Sequence, residues 1–169
     1  KDKLFNRELS NYLGISHPFL ARYIGTSRDG SNNCLIIEYC EGKTLNKTEL
    51  KKEDKYKIVF EIMVALEYLH SKGFVYRDLK PNNIMVNQNN TVCLFDFDRM
   101  VKIDSKIENI EITQNFAHSF CAPEIYSGKS FSYKSDVYSV GKIIDFIFDK
   151  EIASDNFNEY SSMIKMIEK

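Results

Sequence analysis

Four polar residues in one short stretch have types and spacing that suit chemistry on phosphate. They are Asp78, Lys80 two positions on, Asn83 five positions on, and Asp96 thirteen beyond Asn83. Phosphoryl transfer needs divalent cations bridging phosphate oxygens, a proton acceptor beside the attacking hydroxyl, and a cation near the transferred group. Carboxylate and amide oxygens are hard ligands, so Asp96 with Asn83 suits Mg²⁺. Asp78 suits the hydroxyl proton, and Lys80 the phosphate charge. Taken singly, each has a plain structural reading: an Asp before Leu caps the chain, and Pro81-Asn82-Asn83 turns it. The joint spacing is what favours chemistry.

Several elements must position these residues. Ile84–Val86 and Val92–Phe95 read as two small strands joined by the polar turn Asn87-Gln88-Asn89-Asn90. Such a hairpin leaves Asp78 and Asn83 before its first strand and Asp96 after its second, so the three converge at one edge. Upstream, Ile58, Ile62, Leu66 and Leu69 recur at helical spacing over Lys52–Ser71, with Lys72-Gly73 as the stop. An earlier helix is expected near Lys3–Leu13, ending at Gly14. Cys34–Tyr39 is an apolar run expected to form a buried strand, turned by Glu41-Gly42. Residues 99–120 show little periodicity and read as a long surface segment. From Ser135, the apolar residues Val137, Val140, Ile144 and Ile147 mark a last helix. Gly141 inside it costs about 1 kcal/mol relative to Ala, which suggests a close contact there. The mixed order gives an α+β class.

Bulk properties narrow the setting. The chain has 169 residues, 43% hydrophobic and 28% charged, which suits one globular domain with a sizeable core. A net charge of −1 gives no reason to expect nucleic acid or a membrane surface as a partner. Cys34, Cys40, Cys93 and Cys121 are scattered, so a reducing, cytoplasmic or nuclear compartment is expected rather than disulfides or zinc. No apolar run reaches the roughly 18–20 residues of a membrane span. Lys1 opens no signal peptide, and without an initiator Met the chain is expected to be part of a longer one.

Tyr76-Arg77-Asp78-Leu79-Lys80-Pro81-Asn82-Asn83 resembles the catalytic loop of eukaryotic-type protein kinases (H-R-D-L-K-P-x-N), with Tyr in place of His. Asp96-Phe97-Asp98 is similar to the D-F-G metal motif, and Ala122-Pro123-Glu124 to the A-P-E end of the activation segment. Tyr133–Gly141 resembles the start of the long central helix, whose Asp, here Asp136, braces the catalytic loop. Glu8, nine residues before His17-Pro18, matches the helix C Glu that pairs with the ATP-binding lysine. The resemblance runs in order over nearly all of residues 5–145. It implies a two-lobe kinase-like fold, with a partial N-lobe over 1–39 and a C-lobe over 40–169.

The same resemblance implies ATP and Mg²⁺ as cofactors and a protein as substrate, and leaves oligomeric state open. Ile37 becomes the gatekeeper, Glu38 and Cys40 present backbone groups to adenine, and Met85 forms the floor beneath it. Arg77 suits a phosphate clamp, with a structural ion pair as the equal alternative. Thr113 and Ser119 are candidate phosphosites. Tyr12, Tyr23, Tyr76 and Phe97 fall at the positions of the regulatory spine.

Three departures accompany the match. Asp98 replaces the Gly of D-F-G; the residue is expected in the left-handed region, and its carboxylate either binds metal or repels phosphate. No Gly-rich loop or V-A-I-K lysine is present, and the terminal helices of the large lobe are missing. We therefore expect the chain alone to be marginally stable or inactive, through lost phosphate contacts and lost apolar burial. Lys80 favours Ser/Thr over Tyr substrates, although Ala117 stands where Ser/Thr kinases usually carry Thr. A pseudokinase scaffold is the second reading, carried by Asp98 and the absent lysine. A small-molecule phosphotransferase is the third, opposed by Lys80-Pro81 and Ala122-Pro123-Glu124.

Overall fold

A computed structural model of the protein describes residues 2–103, 119–126 and 131–148. The first helix, α1 (Asp2–Leu13), buries Asn11 and Tyr12 and ends at Gly14, whose N–H returns to the Asn11 carbonyl at 3.3 Å. Strands β1 (Tyr23–Asp29) and β2 (Asn32–Ile37) form an antiparallel hairpin closed at Gly30, which has a φ of 57°. The sequence lacks apolar alternation over Tyr23–Asp29, so β1 was not foreseen. Nor is β2 the buried strand expected over Cys34–Tyr39. Its residues are exposed or half-buried, and Tyr39 beyond it is 83% exposed. Only two strands pair here among the described residues, which leaves Ile24 and Ile36 exposed.

Strand β3 (Lys43–Thr44) starts after Gly42, where φ is 116°. A Cβ at Gly42 would lie 2.1 Å from the Val86 carbonyl oxygen, so only glycine fits this approach. Helix α2 (Lys52–Ser71) carries Glu53 and Asp54 in its first turn and His70 in its last, complementing the helix dipole. Its buried stripe is Ile58, Val59, Ile62, Ala65, Leu66 and Leu69. Glu61 is buried within it and accepts the Val92 N–H at 2.8 Å, so the helix fastens a strand through a side chain.

After α2 come β4 (Phe74–Val75), β5 (Ile84–Val86), β6 (Val92–Leu94) and β7 (Val101–Lys102). The order is β3-β5-β6 in one sheet and β4-β7 in another, all antiparallel. The start of the supposed surface segment is therefore interior: Met100 and Val101 are buried, because β7 pairs with β4. The short α3 (Pro123–Tyr126) precedes α4 (Tyr133–Phe148), whose Val140, Ile143, Ile144 and Ile147 join the core built on α2. Among the described residues, a Cβ on Gly141 would meet no atom within 4 Å, so the expected close contact is not observed. No described helix is long and apolar enough to cross a membrane.

Ile62 is fully buried at the centre of this core. Ile62→Ala should cost about 3 kcal/mol of stability through lost transfer energy and residual cavity. A urea titration reads this as a lowered midpoint.

Candidate active site

The segment between β4 and β5 is held by one carboxylate. Asp136, in the first turn of α4 and fully buried, accepts the Tyr76 N–H on Oδ2 and the Arg77 N–H on Oδ1, each at 2.8 Å. His70 at the end of α2 completes the set, with Nε2 2.8 Å from Oδ2. A carboxylate only accepts, so the hydrogen of that bond lies on Nε2. Arg77 has a φ of 70°, a conformation L residues rarely adopt. This turn directs the next residue, Asp78, to the edge of the β5–β6 hairpin.

Asp78 is buried and held by its neighbours. Lys80 Nζ lies 2.6 Å from Oδ2, and Asn83 Nδ2 donates to the same oxygen and to the Asp78 carbonyl, both at 3.0 Å. Arg99 Nη1 lies 3.8 Å from Oδ1. On the other side of the hairpin, Asp96 leaves β6 with a φ of 67°. The left-handed residue of this motif is thus Asp96, not Asp98 as expected, so position 98 does not require glycine in this conformation.

Asp78, Asp96 and Asp98 each bring a carboxylate oxygen within 4.8 Å of the others. Burial, then Asp98 and Asp78, push the Asp96 carboxyl up to about 6, against the pull of Lys80. Asp98 Oδ1 is buried without a donor among the described residues. Crowded hard oxygens, one of them orphaned, fit a divalent cation.

An aromatic column runs beside this cluster. Phe97 packs edge-on against Tyr12 of α1 at 4.7 Å and Tyr76 at 5.7 Å, and the Tyr76 hydroxyl donates to the Phe95 carbonyl at 2.6 Å. Tyr23 pairs with Ile37 across the β1–β2 hairpin and packs against the same core. Asn11 was not singled out by the sequence reading, yet its Nδ2 donates to the Phe97 and Met100 carbonyls, both at 2.8 Å. An Asn on the helix face that should be apolar was the available signal. His70 and Glu61 were missed for the same reason.

The remaining candidates fall in several places. Glu8 is half-buried on α1, and burial followed by Asp98 raises its pKa. No salt bridge to Glu8 is formed among the described residues. Ile37 closes β2, and the Glu38 N–H is spent on the Arg22 carbonyl at 2.7 Å. Cys40 and Cys93 are half-buried, their thiols 3.8 Å from the Glu38 carbonyl and 4.0 Å from the Leu94 carbonyl, and Met85 pairs with Cys93 across β5 and β6. Arg77 Nη1 donates to the Arg99 carbonyl at 3.2 Å. Glu124 accepts the Ser135 hydroxyl at 2.7 Å. Ser119 is exposed, while Thr113 lies outside the described residues.

Comparison with known proteins agrees with this geometry. The model of the protein kinase domain matches residues 1–169. The chain is similar to serine/threonine-protein kinase RUNKEL of Arabidopsis thaliana, 31% identical over 136 residues, which are 77% of this chain and 10% of the relative. It is also similar to cAMP-dependent protein kinase type 3 of Saccharomyces cerevisiae, 32% identical over 77% of this chain and 33% of the relative. A third relative is 3-phosphoinositide-dependent protein kinase B of Dictyostelium discoideum, 30% identical over 97% of this chain and 19% of that protein. The chain belongs to the protein kinase family, and it spans between 10 and 33% of the length of these relatives.

The carboxylate cluster sets a pH dependence. Asp96 has a higher pKa in the fold than its ordinary 3.8, so the native state binds the extra proton. Its contribution to stability is full below that ordinary value and is lost as pH rises through about 6. In metal-free buffer, Asp98→Asn should flatten the decline in melting midpoint between about pH 4 and pH 7 relative to wild type. Parallel profiles would contradict the crowding.

Proposed function

We propose that this chain forms the catalytic core of an ATP- and Mg²⁺-dependent Ser/Thr protein kinase. The observation that carries the reading is Asp78, buried among Lys80, Asn83 and two further carboxylates at the hairpin edge. Oδ2 of Asp78 is taken by Lys80 and Asn83, so Oδ1, 3.8 Å from Arg99 Nη1, would accept the proton of an incoming hydroxyl. Lys80, held 2.6 Å from Asp78, keeps a positive charge beside the transferred group. Asp96 and Asn83 would hold Mg²⁺, and Asp98 adds a third carboxylate to the same cluster. When bound, the cation supplies neutralisation of phosphate charge. Lys80 two positions past Asp78 supports a Ser/Thr rather than Tyr hydroxyl. Residues 1–39 would be the N-lobe portion and 40–169 the C-lobe portion.

A non-catalytic scaffold is the reading favoured by Asp98 at the third position of the motif. The two separate experimentally. In the full-length protein, Asp78→Asn should lower kcat about 10²–10⁴-fold, the usual span for a general base. Asp96→Ala should abolish transfer of γ-phosphate to a generic protein substrate with Mg²⁺, and phosphoamino-acid analysis of the wild-type product should show Ser or Thr. Transfer by Asp96→Ala equal to wild type would refute the mechanism. Failure of wild type to bind Mg-ATP would establish the scaffold.

A further inference from the structure

A cavity of about 330 Å³ opens between α1 and the β4–β7 pair, away from the carboxylate cluster. Three cations from three separate places line it: Arg7 on α1, Lys72 just after α2, and Lys102 on β7. Ser10 and Asn11 add polar groups, and Phe74 forms an apolar wall. No acidic side chain is among its lining residues. Arg7 Nε is buried without an acceptor among the described residues. The two ammonium groups lie over rings rather than carboxylates, Lys72 over Tyr68 and Lys102 over Phe74, each at 5.7 Å. Glu8, the acid next to Arg7 in sequence, feels the charges of both Asp98 and Arg7 but is not part of the lining.

Three like charges gathered at a cavity repel one another unless an anion enters. A guanidinium with two ammonium groups matches a tetrahedral dianion better than a single carboxylate, which offers two oxygens and one charge. The volume exceeds what a lone carboxylate would fill. Arg77, the residue that resemblance links to phosphate, does not line this cavity; its guanidinium faces the Phe131 ring at 5.6 Å. We infer that the cavity behind α1 is a second anion site, taking a phosphate monoester dianion between Arg7, Lys72 and Lys102.

Such a ligand ties α1 to β4 and β7. Asn11 on the same face of α1 holds the Phe97 and Met100 carbonyls, so an occupied cavity fixes the backbone beside Asp96 and Asp98. Only this last link rests on the metal reading; the anion site stands without it.

The test is the melting midpoint of the full-length protein against inorganic phosphate, with chloride matching the ionic strength. A ligand that binds only the native state raises the midpoint with a saturable dose dependence. Wild type should show that response. Lys72→Glu with Lys102→Glu should abolish it, and Lys72→Gln with Lys102→Gln should weaken affinity at least about tenfold, the factor that 1.4 kcal/mol corresponds to. Both lysines are exposed, so neither pair should disturb the fold, and circular dichroism checks this. Lys47→Glu with Lys51→Glu, exposed and outside the lining, should leave the response intact. O-phosphoserine is the second arm: tighter binding than inorganic phosphate identifies a phosphorylated side chain as the source, and equal or weaker binding identifies free phosphate. An unchanged response in the charge-reversed pair, or no response beyond that of chloride, overturns the site.

Discussion

The carboxylate of Asp136 ties α4 to the end of α2 and the loop after β4, which lie 59 to 66 positions earlier, and the candidate site is built outward from it. A fully buried charge is costly unless its lone pairs are met, and here two backbone N–H groups and one imidazole nitrogen meet them. Two of those donors belong to consecutive residues, Tyr76 and Arg77, so the carboxylate fixes two successive peptide units rather than a point. Arg77 can then keep its unfavourable φ, because its own N–H and that of Tyr76 are committed to Asp136. The position of Asp136 is in turn set by the apolar face of α4 seated on α2. Core burial thus reaches Asp78 through one hydrogen-bonded carboxylate, and the chemistry depends on packing about one helix away.

The other half of the site is assembled by a different device. Leu94 in β6 exchanges backbone hydrogen bonds with the segment after α1: its N–H goes to Phe19 and its carbonyl receives Ala21, each at 2.8 Å. Two residues later Asp96 takes a left-handed backbone, and Asn11 pins the carbonyls that follow. Each half therefore contains one strained aspartate or its neighbour, held by a buried polar side chain from a helix. The two halves meet in a crowd of carboxylates, where burial first and mutual repulsion second raise the Asp96 pKa. Such repulsion is a cost to the fold by itself and a source of affinity for a cation.

Much of this was legible in the residues. The β5–β6 hairpin, both long helices and α1 came from periodicity and turn chemistry, because those segments carry an apolar stripe or a polar tetrad. Where local pattern was silent, the reading failed. β1 is polar along most of its length, and β4 and β7 have two residues each, below what alternation can reveal. Burial of Met100 and Val101 followed from that pairing and from nothing nearby in the sequence. Motif residues around Asp78 and Asp96 were identified because their spacing is fixed by a tight loop. Asn11, Glu61 and His70 act across 31 to 89 positions, so nothing local names their partners, and a polar residue on an otherwise apolar helix face is the one trace each leaves. The expected strain at position 98 was misplaced by two residues, since it was judged from a glycine that is absent rather than from the backbone that is present.

Tyr76 has a consequence in optics as well as in packing. This 169-residue chain contains no tryptophan and ten tyrosines, so its near-ultraviolet absorption and emission arise almost wholly from phenol rings. Tyr12 and Tyr76 are buried on either side of Phe97, and burial above all makes both phenols resist deprotonation. Rings locked edge-on in an asymmetric interior give strong circular dichroism, whereas solvent-facing Tyr39 contributes little. The aromatic column is thus a built-in chromophore, placed between α1 and the loop that carries Asp78, whose signal reports whether those two parts are docked.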